Sequence, residues 1–111
     1  MIRIKTHNTQ NLFLSLSLTG HAGSAEAGKD LVCASVSILA YTLAQKVKEY
    51  AAEEKLQDTP IVSLENGNTL ICCRPKQEYY EEVKNAFSVI NTGLQLLINS
   101  YPQYVGTDDK S

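Results

Sequence analysis

LFLSLSLTG, residues 12–20, decides the architecture. Leu12, Leu14, Leu16 and Leu18 fall on one side of an extended chain, and Phe13, Ser15, Ser17 and Thr19 on the other. That period of two marks a strand with one buried and one wet face. Upstream, Ile2 and Ile4 alternate with Arg3 and Lys5 in a shorter strand of the same kind. The polar run His7-Asn8-Thr9-Gln10-Asn11 supplies turn residues between them, so the two strands form a hairpin. Downstream of Gly20 the alternation stops in HAGSAEAGK. From Asp30 to about Glu54 the spacing turns helical, with Val32, Val36, Leu39, Leu43, Val47 and Tyr50 three or four apart. Asp30 is placed to cap this helix, its carboxylate accepting free N–H groups of the first turn. At 1.5 Å per residue the helix is about 35 Å long.

The pattern then repeats. Asp58-Thr59-Pro60 ends the helix, and PIVSLENGNTLICCR (60–74) forms a second hairpin with Asn66-Gly67 at its tip. A last helix runs from about Gln77 to Ser100, carrying Val83, Phe87, Ile90, Leu94, Leu97 and Tyr101 at helical spacing until Pro102 stops it. The tail QYVGTDDKS becomes polar and is expected to be loose. The expected order is ββαββα: an α+β two-layer domain spanning 1–111, one four-stranded mixed or antiparallel sheet with two long helices packed on it.

Composition narrows the function classes. The chain has 111 residues, 43% of them apolar and 20% charged, with ten basic against twelve acidic side chains and a net charge of -2. No concentrated basic patch tracks a phosphate backbone, so nucleic acid is not an expected partner. The N-terminus MIRIKTHNTQ lacks a signal-peptide apolar run and no segment reaches the ~20 apolar residues of a membrane span, so a cytoplasmic protein is expected. Three cysteines give an odd count and no disulfide framework. Adjacent Cys72 and Cys73 point to opposite faces of a strand and serve packing. No set of four histidines and cysteines has ligand spacing, so neither a metal nor another cofactor is expected.

The chemistry concentrates in GHAGSAEAGKDLVCAS, residues 20–35. Counted from a cap at Asp30, Cys33 is the third residue of a helix whose first-turn N–H groups and dipole favour a thiolate. Its other reading is a small core hydrophobe. His21 follows Gly20 at the end of the best strand, on a rigid element yet open to solvent. It is either a solvated loop histidine or a base within reach of Cys33, able to take the thiol proton and return it to a leaving amine. Ser37 lies one turn beyond Cys33 on the same helix face, as a packing residue or a hydroxyl near the thiol.

GHA at 20–22 and GKDLVCASVS at 28–37, with the ENGN hairpin and a closing helix ending in YP, resemble the Prp (YsxB-like) family of bacterial ribosomal-processing cysteine proteases. The resemblance covers essentially the whole chain. It implies that Cys33 is the nucleophile, His21 the general base and acid, and Asp30 and Ser37 supporting residues. Leu31 and Ser35 stand where the family commonly has Ile and Ala. It also implies a homodimer whose substrate is the short N-terminal extension of large-subunit ribosomal protein number twenty-seven, cut after two phenylalanines and before a small residue. The small-residue run with Ala22, Gly23, Ser24 and Gly28 is expected to act as a substrate loop that orders over the peptide. Two other classes compete: a non-catalytic ribosome-assembly adaptor holding an apolar peptide in the same cleft, and a redox sensor using Cys33 with Cys72 or Cys73.

Overall fold

The computed structural model describes residues 1–9, 11–21 and 29–107; at 29 and 30 it describes the backbone alone. Its elements are β1 (Ile2–Asn8), β2 (Leu14–Thr19), α1 (Lys29–Ala52), β3 (Ile61–Glu65), β4 (Asn68–Cys73), α2 (Tyr80–Ser100) and β5 (Val105–Thr107), with a single 3₁₀ turn at Gln77–Tyr79 leading into α2. The strands form one mixed sheet in the order β3-β4-β2-β1-β5, every pairing antiparallel except that of β1 with β5.

The alternating leucines do what their period demands. Leu14, Leu16 and Leu18 are buried, and the register puts Ile4, Leu18, Thr69 and Leu64 in one cross-strand row and Leu16, Ile71 and Val62 in the next. Both helices cover this face: Val32, Val36, Leu43 and Val47 of α1 and Val83, Ile90 and Leu94 of α2 join the strand residues in one core. Cys72 and Cys73 separate as expected. Cys73 shares the core face with its partner Leu14, while Cys72, also buried, pairs with Ser15 on the opposite face and its thiol donates to the Ser15 hydroxyl at 3.4 Å.

Four details depart from the expected layout. The sheet has five strands rather than four, because the tail folds back: Ile2 N–H donates to the Tyr104 carbonyl at 2.8 Å, and Val105 becomes fully buried beside Ile2. A three-residue strand containing a glycine carries too little periodicity to be seen in sequence. β1 runs on through His7 and Asn8, which pair with Ser15 and Leu14, so Leu12 leaves the strand for the turn and takes a φ of 65°. α1 begins at Lys29, which puts Asp30 inside the first turn instead of at its cap and makes Cys33 the fifth helical residue. At its other end α1 stops before the proline, closed by Lys55 N–H to the Tyr50 carbonyl (2.9 Å) and Glu54 N–H to the Ala51 carbonyl (3.1 Å), with Glu54 left-handed at φ 60°.

Candidate active site

β2, the central strand, runs to one end of the sheet, and α1 returns from that end over the sheet's inner face. The end of the leucine strand and the start of the helix therefore lie at the same end of the molecule. The tip of the β3–β4 hairpin is there too, because β2 and β4 are antiparallel and Thr19 pairs with Asn68. The backbone ladder continues one step beyond that pair, with Gly20 N–H donating to the Gly67 carbonyl at 2.9 Å.

These three pieces enclose a cleft of about 380 Å³. His21 and Gly20 enter from the end of β2, and Asn66 and Gly67 from the hairpin tip. Cys33, Ser37 and Tyr41, spaced i, i+4 and i+8, form a stripe along one flank of α1. Immediately inside that stripe Val32, Val36 and Ala40 are buried, which fixes the rotation of the helix and leaves Cys33 half-exposed to the cleft. Leu18, Thr69 and Leu64, from one row across three strands, make the floor. Val36, Ala40, Tyr41 and Leu64 add apolar lining, and Glu65, Asn66 and Asn68 of the hairpin add polar lining.

His21, Cys33 and Ser37 are thus brought together. The Asp30 side chain and Ala22, Gly23, Ser24 and Gly28 lie outside the described residues. Tyr41, Leu64, Thr69 and Gly67 were not singled out from the sequence as site residues. Tyr41 could have been found by extending the Cys33–Ser37 spacing one more turn, whereas Leu64 and Thr69 become neighbours of the site only through strand register. Among the described residues the one thiol hydrogen bond is that of Cys72, so the Cys33 thiol and the His21 imidazole share the cleft without being joined in it. Catalytic hydrogen bonds commonly close only when substrate is bound.

The other thiols are poorly suited to chemistry. Burial pushes Cys73 up to about 12, with Cys72 and Asp58 adding in the same direction. Cys73 also lies four residues along β4 from Thr69 on the cleft floor, about 13 Å at strand rise, which separates it from the site. Among the described residues no group of three or more His, Cys, Asp or Glu is assembled as a metal site, and no helix is long and apolar enough to cross a membrane.

A half-exposed thiol and an imidazole around one cleft, on a two-layer α+β frame, define the class: thiol-dependent hydrolases. The family model for cysteine protease Prp matches residues 1–106. The chain belongs to that family and is a cysteine protease. It is 33% identical, over 97% of each chain, to the ribosomal processing cysteine protease Prp of Mycoplasma genitalium. It is 27% identical to a Streptococcus mutans protein of solved structure, with a TM-score of 0.67 over 96% of this chain and 91% of that one. The ribosomal processing protease Prp of S. aureus, solved with a covalently linked product peptide, shares the fold at a TM-score of 0.71 and 19% identity, over 99% of this chain and all of that one.

Proposed function

We propose that this chain is a single-domain endopeptidase of ribosome maturation, with Cys33 as nucleophile and His21 as general base and acid. Its proposed substrate is the N-terminal extension of large-subunit ribosomal protein number twenty-seven, cut after a Phe-Phe pair. The observation that carries the reading is the shared cleft: His21 and Cys33 reach it from different elements, and Val36, Ala40, Tyr41 and Leu64 give it apolar surface beside them. The relatives support it, since one is named for ribosomal processing and another was solved with a substrate peptide.

In the first step His21 takes the Cys33 proton and the sulfur attacks the scissile carbonyl carbon, forming a C–S bond and moving an electron pair onto the oxygen. The oxyanion faces the start of α1, where first-turn N–H groups lack helical acceptors and stabilise negative charge. As it collapses, the C–N bond breaks and His21 gives its proton to the departing amine. Water, deprotonated by His21, then hydrolyses the thioester and restores the thiol. Ser37, one turn from Cys33, and Asp30 are assigned supporting roles. Val36, Ala40, Tyr41 and Leu64 form the surface on which an aromatic side chain before the cut would rest. The working form is proposed to be a cytoplasmic homodimer; exposed Ile38 and Leu96, each more than 60% accessible, supply apolar surface for such an assembly.

The test is incubation with a peptide carrying a Phe-Phe-Ala junction. The wild-type protein is expected to cleave after the second phenylalanine, and Cys33→Ala and His21→Ala each to lose about four orders of magnitude in kcat or more. Binding without cleavage by the wild type would instead make the protein an adaptor. Cleavage that persists in Cys33→Ala would remove the nucleophile assignment.

A further inference from the structure

The tip of the second hairpin does more than turn the chain. Gly67 has a φ of 78°, in the left-handed region that favours glycine, and its carbonyl holds the N–H of Gly20, the residue just before His21. The His21 ring lies directly against it. A β-carbon built on Gly67 would stand 2.5 Å from His21 Nε2, 2.6 Å from Cε1 and 3.4 Å from Cδ2. Non-bonded carbon atoms pack at about 3.5–4.0 Å, so ring and side chain cannot both occupy that space. Gly20 is confined from its other side: its φ is 94°, and a β-carbon there would strike the Met1 carbonyl oxygen. The backbone leading into His21 is thus held between the first residue of the chain and the hairpin tip.

We propose that Gly67 is a positioning residue for His21. Its bare Cα is the seat on which the imidazole rests, and the Gly20–Gly67 hydrogen bond fixes that seat relative to the end of β2. The inference rests on the assignment of His21 as general base, and it adds a requirement on a second element. The hairpin tip must present backbone, with no side chain, to the ring. Any β-carbon at 67 tilts or lifts the imidazole and misdirects its nitrogens. Displacements of about 1 Å at a catalytic group can cost about 100-fold in rate.

The experiment compares wild type with Gly67→Asn and Gly67→Ala. Asparagine tolerates positive φ well among residues with a side chain, so Gly67→Asn keeps the turn while adding the β-carbon. Circular dichroism and thermal unfolding establish that each variant is folded. Cleavage of the Phe-Phe-Ala peptide gives kcat and KM, and a pH titration of the imidazole resonances follows His21 itself. The expected result for folded Gly67→Asn is about a 100-fold loss, mainly in kcat, with shifted His21 ring resonances and a displaced titration. Wild-type kcat with unshifted ring resonances would overturn the proposal. So would a loss of activity that only tracks the folded fraction while the His21 titration stays in place. If neither variant folds, the wild-type protein decides: nuclear Overhauser contacts between the His21 ring protons and the Gly67 α-protons are expected, and their absence rejects the seat. A wild-type protein that shows those contacts but does not cleave the peptide would reject the protease reading and leave the seat standing.

Discussion

Cys72 and Cys73 are neighbours in sequence and both buried, but on opposite faces of β4, one bonded to Ser15 and the other packed in the helix-covered core. Burial raises the Cys73 thiol from an ordinary 9.0 to about 12, and this makes it a probe of folding. Below the unfolded value both states keep the proton and the group adds no pH dependence. Between the unfolded and folded values only the native chain keeps it, so stability falls as pH rises, by at most about 1.4 kcal/mol per pH unit. Urea unfolding of wild type and Cys73→Ala at about pH 7 and about pH 10.5 checks the sign, since the first pH precedes the ordinary thiol range and the second lies within the window. The wild type is expected to lose more stability than the variant, and equal losses would contradict the assignment. At this scale the sequence showed part of the site. His21, Cys33 and Ser37 were legible because each sits at a marked place, a strand end or a helix face. Leu64 and Thr69 were not, because their approach to the cleft depends on which strand lies beside which.

At the scale of elements, the leucine strand, the Asn-Gly hairpin and both long helices were readable, since each carries many turns or steps of one period. Ends were less readable. The start of α1 differs from a cap at Asp30 by only a residue or two, yet that shift moves Cys33 from the first turn to just beyond it, one position from the unpaired N–H groups. The far end of α1 carries its own prediction. Glu54 closes the helix in a left-handed conformation that a β-carbon disfavours. Glu54→Gly is expected to raise stability by about 0.5–1 kcal/mol, the relief being partly offset by the greater freedom of glycine in the unfolded chain. Thermal denaturation measures it, and a fall in the midpoint would show that Glu54 stabilises the chain in another way.

The whole molecule is tied together where its two ends meet. β5 lies parallel to β1 at the sheet's edge, so Ile2 and Val105 are partners although nearly the entire chain separates them. That pairing was invisible from local patterns, since nothing in VGT names its partner. Val105→Ala removes two buried methyl groups and is expected to cost roughly 2 kcal/mol. Closing so long a loop is entropically late. The cost should therefore appear as faster unfolding with a nearly unchanged folding rate, which stopped-flow measurement across urea concentrations would read directly. Slower folding with an unchanged unfolding rate would instead place the end-to-end contact in the folding nucleus.

The bare seat beneath His21 also bears on how this protein can vary. Every base change that replaces Gly67 adds a β-carbon, and none can enlarge the space already given to the ring. Mutation at that codon runs in one direction only. A lineage that must keep His21 where it is can explore the cleft's apolar wall by trimming or exchanging Leu64 and Tyr41. It has no smaller residue to try at the hairpin tip.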